Sequence, residues 1–401
     1  MKSYQITLLL LLFVIGCKEQ KTDTTQAESD KWFKGNLHTH SYWSDGDEFP
    51  EVILDWYKDK GYHFAALSDH NILADHEKWV TIDSAQIYQD AFKKYLDVYG
   101  DDWVEHKIDS GKTIVKLKTY EEYRGLTEKK GKFLVIESEE ITDKFEDKHI
   151  HMNATNIQNK IDPMGGTSVA NVMQNNIDQV LAQREETGVP IMPHINHPNF
   201  FYSVSLDDMI ALKGERFFEV YNGHPMVHNM GDETHISTEE MWDMINIAYL
   251  ENDKPLMYGL ATDDSHHYHR KSKEWSNAGR GWVMVQADTL SASTLINAME
   301  DGKFYSSTGV TLDKIYFENG KLSVAVAEES GVSYKISFIG SKVDGASPEE
   351  FSSTTGTEAS FQITDDILFV RCKVTSSKLQ DNSIEDILYE MAWTQPVTNA
   401  Q

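Results

Sequence analysis

The sequence predicts a mixed α/β protein, with a TIM-like, parallel, seven-stranded β/α barrel followed by a small antiparallel β-sandwich-like domain. Two observations lead to this prediction. From residue 33 to residue 308, short apolar stretches alternate with amphipathic helical patterns, as in β/α units built around a parallel sheet. After Gly309 the chain changes to short alternating strands separated by Gly, Ser, Thr and Pro, which is typical of antiparallel sheets.

The first residues of the chain are typical of a bacterial lipoprotein signal. Residues 6–15 form an almost uninterrupted apolar run, and the segment Val14-Ile15-Gly16-Cys17 that ends it is similar to a lipobox. The run is too short to span a bilayer, which takes about 20 apolar residues. We therefore predict a signal peptide over residues 1–16, lipidation of Cys17 and a polar tether over residues 17–31. The predicted location is the bacterial cell envelope, lipid-anchored on the periplasmic or cell-surface side.

Seven apolar runs are the predicted barrel strands. They are Phe33–His38, Phe64–Ser68, Phe133–Glu137, Ile150–Asn156, Pro190–Pro193, Phe217–Tyr221 and Leu256–Ala261. Two of the helical patterns between them stop at Gly61 and Gly188, and glycine suits the left-handed residue after a helix. Residues 75–131 interrupt the alternation and are predicted to be an insertion containing a helix, a hairpin and a short helix. The barrel domain is predicted over residues 32–308 and the C-terminal β domain over residues 309–397.

The charge and the cysteine content limit the classes of function. The chain has 37 basic and 64 acidic residues and a formal net charge of −27. Such a surface repels phosphate backbones, so we expect no nucleic-acid partner. Small phosphate esters stay possible, because bound cations would reverse the local field. The cysteines are Cys17 and Cys372, so lipidation of the first leaves no intramolecular disulfide. The expected partners are a small-molecule substrate and, through the lipid anchor, the bacterial membrane.

The histidines occur in groups, and several groups follow a predicted strand. The 16 histidines stand at positions 38/40, 63/70/76, 149/151, 194/197, 224/228/235, 266/267/269 and 106. The carboxyl ends of barrel strands share one face, where functional residues collect. His151 is an exception, since it opens its apolar run instead of closing it. Clustered imidazoles and carboxylates destabilise one another unless cations compensate them, and such a set without thiolates suits zinc, manganese or iron.

The residues that carry this chemistry form an ordered series. The series is His38-Thr39-His40, Asp45 in Ser-Asp-Gly, Asp69-His70, Glu140, His151, His197-Pro198 and Asp264-Ser265-His266. In order and spacing it resembles the motifs of the PHP (polymerase and histidinol phosphatase) family over residues 35–270. The segments FFEVYNGHP, ATDDSHHY, GRGWV, GKFYSSTGV and AWTQPV look like the CehA/McbA-type branch of PHP metallohydrolases. They extend the resemblance into the C-terminal domain.

The resemblance implies a distorted, seven-stranded PHP barrel that binds two or three divalent ions through imidazoles and carboxylates from several loops. The implied ligands are His38, His40 and Asp264 for one ion, Glu140 as the bridge to a second, His151 and His197 for that second ion, and Asp45, His70 and His266 for a third. Two positions stay open. Glu139 stands next to Glu140 and could be the bridge instead. His149 and His194 duplicate ligands at short offsets and could be ligands or their supports.

The resemblance further implies a metal-dependent hydrolase, most directly a phosphoesterase that uses a hydroxide activated by the ions. The alternatives are a metal-dependent hydrolase of carbamates, amides or esters, and a non-catalytic lipoprotein that binds metal or glycans. Asp264 is expected to ligate and to accept a proton, and Arg280 to stabilise negative charge on the substrate. Other polar residues near the predicted mouth are expected to support ligands or bind substrate. They are Asp69, Asn71, His149, His194, Asn222 and His267.

Overall fold

Strands from both predicted domains hydrogen-bond into one large sheet in the computed structural model, which describes residues 31–384 and 388–399. The predicted signal peptide, the lipidation site at Cys17 and the tether up to residue 30 lie outside the described residues. Within the described ranges, we find no helix with the length and apolar character needed to cross a membrane.

A strand of the structure overlaps each of the seven predicted strands. The strands of the described ranges are β1 (Lys31–Asn36), β2 (Phe64–Leu67), β3 (Trp79–Thr81), β4 (His106–Asp109), β5 (Lys112–Lys116), β6 (Leu134–Phe145), β7 (Lys148–Thr155), β8 (Met192–Ile195), β9 (Phe217–Asn222), β10 (Tyr258–Thr262), β11 (Trp282–Ala287), β12 (Phe304–Ser307), β13 (Leu312–Glu318), β14 (Lys321–Val326), β15 (Tyr334–Lys342), β16 (Glu349–Thr355), β17 (Glu358–Gln362), β18 (Ile367–Leu379) and β19 (Tyr389–Thr394). The helices are α1 (Pro50–Asp59), α2 (Gln86–Tyr99), α3 (Tyr120–Thr127), α4 (Val169–Thr187), α5 (Leu206–Ala211), α6 (Thr238–Glu251) and α7 (Ala292–Glu300). The predicted strands correspond to β1, β2 and β6 to β10.

The seven strands pair side by side in the order β10-β9-β8-β7-β6-β2-β1. The two outer strands of this row also meet. Just beyond β1 and β10, Thr39 and Ser265 form a parallel bridge. The amide of His40 donates to the Ser265 carbonyl at 2.9 Å, and that of Asp264 donates to the His38 carbonyl at 3.0 Å. The residues that follow β1 therefore lie directly beside those that follow β10.

Strand β7 differs from the parallel arrangement that the alternation predicts. It is antiparallel to β6 and to β8, whereas β2 is parallel to β1 and β6, and β9 to β8 and β10. Only Glu146 and Asp147 separate β6 from β7, which is a hairpin turn, because parallel neighbours need a crossover of a dozen residues or more. Because β7 runs in the reverse direction, the beginning of its apolar run lies where the end of a parallel strand would lie. His151, which opens that run, is thereby placed opposite Thr142 in β6.

Residues 75–131 contain a helix, a hairpin and a short helix, and also a strand, β3, that the sequence did not predict. Helix α2 is followed by the hairpin β4–β5, in which Asp109 pairs with Lys112, and then by α3. Thr119 and Glu122 form a capping box at the start of α3, which satisfies backbone donors that the first turn leaves free. Strand β3 completes a separate three-stranded sheet with the order β3-β5-β4.

The C-terminal strands continue the large sheet. From β1 the order runs β11-β12-β19-β18-β15-β16, and all these pairs are antiparallel. A second sheet, β13-β14-β17, contributes Leu322 and Val324 to a hydrophobic cluster that also contains Phe338 and Val374 of the large sheet. Trp393 of β19 belongs to a different cluster, together with residues of α4, α6 and β9. The C-terminal strands therefore pack against helix α6 as well as against each other.

Candidate metal centre

Glu140 lies at the centre of the predicted ligands. Its side chain is buried in β6, and its oxygens lie within 3.6 Å of five histidine side chains, those of His38, His40, His70, His151 and His197. Glu139 points the other way, and its Oε2 accepts a hydrogen bond from the Ile161 amide at 2.9 Å. Successive side chains of a strand face opposite sides. The structure therefore places Glu140, and not Glu139, among the histidines.

Donor atoms of His38, His40, Glu140 and Asp264 lie side by side. His38 Nε2 lies 3.1 Å from His40 Nε2 and 3.3 Å from Asp264 Oδ1. His40 Nε2 lies 3.2 Å from Asp264 Oδ1 and from Glu140 Oε2. In a tetrahedral site with metal–nitrogen bonds of about 2.0–2.1 Å, neighbouring ligands are about 3.3 Å apart. These atoms are therefore spaced like the ligands of one small divalent ion.

A second set of donors surrounds the other oxygen of the same carboxylate. His151 Nδ1 lies 3.1 Å from Glu140 Oε1, and His197 Nε2 lies 3.6 Å from it. His197 Nε2 is also 3.8 Å from Asp264 Oδ2. Glu140 and Asp264 thus each face both sets of donors. This is the arrangement expected of carboxylates shared between neighbouring ions.

A third set lies at the solvent side of the first. Asp45 Oδ2 is 3.5 Å from His70 Nε2, and Asp45 Oδ1 is 3.4 Å from His266 Nε2. Together with His40 these residues form a group whose donor atoms lie within 4.8 Å of one another. The Asp45 side chain is 57 % exposed, so this group is open to solvent. All nine predicted ligands fall into groups of donors that could hold a divalent ion.

Several buried polar atoms of the centre lack a hydrogen-bond partner among the described residues. They are Glu140 Oε2, His151 Nδ1, Asn196 Oδ1 and both ring nitrogens of His194. An unsatisfied buried polar atom costs about 1–3 kcal/mol, so a cluster of them needs compensation. His151 Nδ1 and Glu140 Oε1 lie 3.1 Å apart, yet no hydrogen bond satisfies His151 Nδ1. A divalent cation would satisfy such atoms without any hydrogen, and this set of imidazoles and carboxylates suits zinc, manganese or iron.

The charges of the centre shift the pKa values of its predicted ligands in both directions. Burial alone would raise the pKa of Glu140, but His70 and His38 hold that pKa well below its usual value. Desolvation, with His266 and His70 nearby, lowers the pKa of His40 to about 3. Against desolvation, the carboxylates of Asp264 and Glu219 raise the pKa of His38 well above its usual value. The carboxylate and His40 are thus ready to ligate, while at His38 a cation must displace a proton.

Glu219 is a residue of this site that the sequence prediction missed. It is buried in β9, and its Oε1 lies 2.7 Å from His38 Nδ1. Its Oε2 accepts a hydrogen bond from the His197 amide at 2.9 Å. A carboxylate bound to one imidazole nitrogen orients the ring and leaves the other nitrogen for a metal. The signal in the sequence was an acidic residue inside the apolar run FFEVYN, because a buried carboxylate needs a partner.

Two of the predicted ligands have a strained backbone. Asp264 has φ of +49° and His197 has φ of +23°, in a region that costs a non-glycine residue about 1–3 kcal/mol. Asn222 holds the first of them, because its Nδ2 donates to Asp264 Oδ2 at 3.1 Å and to Glu219 Oε2 at 2.8 Å. Asn222 is therefore hydrogen-bonded to a predicted ligand, which fits the supporting role of the two roles expected for it.

Two other predicted supporting residues hold the loops of the site. Asp69 accepts hydrogen bonds from the amide and the hydroxyl of Ser41, each at 2.8 Å, and so fixes the loop after β1. The Thr142 amide donates to Asn71 Oδ1 at 2.8 Å, and Asn71 Nδ2 donates to the Thr142 carbonyl at 2.9 Å. Asn71 thereby fastens the end of β2 to β6. Neither residue belongs to a donor group.

The remaining predicted histidines lie at different depths. His194 is buried and groups with His38 and Glu219, which places it behind the first set of donors. His149 is exposed, and its ring lies 6.2 Å from that of His151. His267 packs on Trp275 at 4.7 Å between ring centroids. The last two belong to none of the donor groups in the described ranges.

Arg280 does not face the site, which corrects the expectation that it binds substrate. Its side chain is buried, and its guanidinium group donates to four backbone carbonyls, those of Gly223, Ser272, Trp275 and Asn382. Four of the five guanidinium hydrogens are thereby used. Arg280 holds neighbouring loops together, since Asp263 also accepts hydrogen bonds from the amides of Arg280 and Gly281.

The rim of the centre is aromatic. The Phe200 ring lies 5.0 Å from that of His197 and 6.1 Å from that of His151. Phe201, next in the chain, is 49 % exposed with φ of +49°, and Met226 is also exposed. A molecule that reaches the donor groups from this side meets apolar side chains first.

Comparisons with known proteins add a fold-level likeness. No family model matches the chain, and no curated protein matches it in sequence. A two-domain protein from Bacteroides vulgatus, containing a predicted PHP-like metal-dependent phosphoesterase, is similar with a TM-score of 0.40 and 12 % identity, over 90 % of this chain and 95 % of that one. A protein from Bifidobacterium adolescentis described as a metal-dependent phosphoesterase is similar with a TM-score of 0.31 and 12 % identity, over 67 % and 94 %. An amidohydrolase from Chromobacterium violaceum, with bound sulfate and no metal, has a TM-score of 0.29 and 11 % identity, over 67 % and 96 %. These likenesses are distant.

Proposed function

We propose that the chain is a metal-dependent hydrolase whose distorted barrel, of the PHP type, binds two or three divalent ions of zinc, manganese or iron. One observation carries the proposal. The donor atoms of His38, His40, Glu140 and Asp264 lie 3.1–3.3 Å from their neighbours, the spacing of ligands around one ion. Glu140 also faces the second set of donors, so that one carboxylate serves two neighbouring sites.

Bound divalent ions would supply Lewis-acid chemistry, acidifying water and neutralising negative charge in the transition state. The chain itself orients the reacting groups. Glu219 fixes the ring of His38 through Nδ1, and Asn222 fixes Asp264 through Oδ2. Nearby histidines, against the effect of burial, hold the pKa of Asp264 well below its usual value. Asp264 is therefore an ionised, oriented carboxylate at the centre, in the form that a divalent cation binds.

The leading substrate class is a phosphate ester, on the strength of the motif resemblance. One observation favours the second class, carbamates, amides or carboxylic esters. In the described part of the chain, every ion pair of Asp45, Glu140, Glu219 and Asp264 is made with a histidine. Arg280 also faces away, so no described arginine or lysine forms an ion pair with the carboxylates of the centre. A substrate of lower charge needs no such residue.

A purely structural metal site is less consistent with this geometry. Structural sites are closed by four protein ligands, whereas catalytic sites keep an open position. The third donor group includes Asp45, whose side chain is 57 % exposed, and His70, whose side chain is 24 % exposed. The centre is therefore accessible to a small molecule, which favours catalysis over storage or scaffolding.

The test combines metal analysis with a substrate panel. The metal content per chain is measured by mass spectrometry, and turnover is measured with phosphate monoesters and diesters, carbamates, amides and carboxylic esters under added zinc, manganese or iron. We expect at least two ions per chain and turnover in one substrate class. His38→Ala should lose metal and turnover, while His106→Ala, which changes an exposed histidine of the insertion, should keep both. A wild-type protein with no bound metal and no turnover in any class would contradict the proposal.

We also propose, from the sequence, that the enzyme is a lipoprotein of the bacterial cell envelope anchored through Cys17, with a catalytic domain over residues 32–308 and a β domain over residues 309–397. Cys17→Ala should release the protein from the membrane fraction or block its maturation. Cys372→Ala is the matched control, because Cys372 is buried in the C-terminal core. Full membrane retention of the Cys17 variant would contradict the anchor.

A further inference from the structure

His224 lies beside the metal centre and belongs to none of its donor groups. It follows β9, and its ring centroid is 5.5 Å from that of His266 and 5.7 Å from that of Phe200, both in edge-to-face geometry. Phe200 in turn lies 5.0 Å from His197. His224 thus borders the third donor group directly and the second through one aromatic ring. Its side chain is half-buried.

The local backbone determines which nitrogen of His224 carries the hydrogen. The Met226 amide donates to His224 Nδ1 at 3.2 Å, so Nδ1 holds a lone pair and the hydrogen of the neutral ring is on Nε2. The backbone of His224 is itself fixed, because its amide donates to Asn222 Oδ1 at 2.7 Å. Nε2 makes no hydrogen bond within the described residues. It is also absent from the buried polar atoms that lack a partner there, so it is open to solvent. His224 therefore presents a neutral N–H donor, without an acceptor, at the edge of the centre.

Two other roles fit this geometry less well. As a metal ligand, His224 would have to bring a ring nitrogen within reach of other donors, but the donor groups of the described chain do not include it. As a general base, it would need a free lone pair, yet Nε2 carries the hydrogen and Nδ1 is occupied by Met226. A donor role is what the ring, as oriented, can perform.

We propose that His224 is a catalytic residue whose Nε2–H donates a hydrogen bond to an oxygen of the substrate group under attack, the phosphoryl group of a phosphate ester. The inference rests on the proposed function, because it needs a substrate at the metal centre. A donor that meets the negative charge developing on the substrate stabilises the transition state more than the ground state. Removal of one such donor typically lowers kcat by about 10²–10³-fold.

The test uses p-nitrophenyl phosphate as the substrate and inorganic phosphate as a competitive inhibitor of the metal-loaded full chain. The variants are His224→Ala, which removes the donor, and His224→Gln, whose amide N–H can replace Nε2–H. The matched control is His228→Ala, since His228 is an exposed histidine of the same loop whose ring stacks on Tyr202 at 5.0 Å. Metal content and melting temperature are measured for every variant.

We expect His224→Ala to keep its metal, to lose about 100-fold in kcat/KM and to bind inorganic phosphate more weakly. His224→Gln should recover much of both quantities, and His228→Ala should equal the wild type. Wild-type kinetics in His224→Ala would overturn the inference, and so would loss of metal from it, which would make His224 a ligand. Failure of the proposed function is distinguishable, because it appears as missing metal and missing turnover in the wild-type protein. If the wild type cleaves p-nitrophenyl acetate and not the phosphate, the same kcat/KM comparison on the acetate decides whether His224 donates to its carbonyl oxygen.

Discussion

The metal centre and the contact between α6 and β18 both bury charged side chains, but they compensate them differently. At the α6–β18 contact, Arg371 Nε donates to Asp243 Oδ1 at 2.6 Å and Arg371 Nη2 donates to Asp243 Oδ2 at 2.7 Å. Lys373 pairs with Glu239 beside them. Two basic side chains thus meet two acidic ones, and the chain neutralises its own charge.

The metal centre has no such balance. Buried Glu140, Glu219 and Asp264 have only histidines as ion-pair partners in the described part of the chain. Buried carboxylates are costly without compensating charge. The α6–β18 contact is therefore balanced in charge by the chain's own side chains, whereas the centre needs cations from solution. The two regions should therefore respond differently to metal removal and to substitution.

Metal removal should have the largest effect and should act on the centre alone. Chelation is expected to abolish turnover and to lower the melting temperature, because ions present at 1,000 times their Kd stabilise the folded state by about 4 kcal/mol. Calorimetry with and without chelator measures this effect. Re-addition of zinc, manganese or iron should restore both quantities, and a melting temperature indifferent to chelator would contradict the uncompensated charge.

Breaking the α6–β18 contact should destabilise the fold without changing metal content. Arg371→Met leaves Asp243 and Glu239 without their buried guanidinium partner, and removal of one partner of a buried pair costs about 3–5 kcal/mol. Urea unfolding measures the loss. Lys335→Met is the control, because Lys335 and Glu350 form an exposed pair of the kind that contributes about 0–1 kcal/mol. A variant of Arg371 that loses metal before it loses stability would show that the two regions are coupled.

Glu219→Gln should give the smallest of the three effects. The amide keeps the size of the side chain but removes the charge that orients His38 through Nδ1. Loss of such a support typically weakens metal binding by about 10–100-fold. Titration of the metal-free protein with zinc measures the affinity. Glu215→Gln is a suitable control. Glu215 is also buried, but among the described residues it accepts hydrogen bonds only from the amides of Arg216 and Phe217. Equal zinc affinity in both variants would remove Glu219 from the centre.

Residue type and order predicted much of this site because metal ligands are chemically distinctive. His38, His40 and His197 follow apolar strands, and the bridge between Thr39 and Ser265 brings the ends of distant strands together. Periodicity likewise predicted the strands and the glycines at positions 61 and 188, which have φ of +76° and +67°. Signals of this kind are local, so they can be read from one sequence.

The features that the sequence did not predict depend on distant partners. Glu219 is one acidic residue in an apolar strand, and its role appears only when His38 is placed beside it. Arg280 belongs to the segment GRGWV, and we expected it to bind substrate. Its hydrogen-bond partners include the carbonyls of Gly223 and Asn382, which are far from it in the sequence. The direction of β7 follows from the hairpin at Glu146, which helix-and-strand alternation does not reveal.

The central claim is that one buried carboxylate, that of Glu140, is shared between neighbouring divalent ions. The most direct test counts the ions bound per chain in Glu140→Gln and in Glu139→Gln. Burial raises the pKa of Glu139 to about 7, so an amide is a close substitute there, and this variant should keep wild-type metal content and turnover. Glu140→Gln should lose at least one ion per chain and all measurable turnover. Full metal content and activity in Glu140→Gln, or their loss in Glu139→Gln alone, would contradict the account.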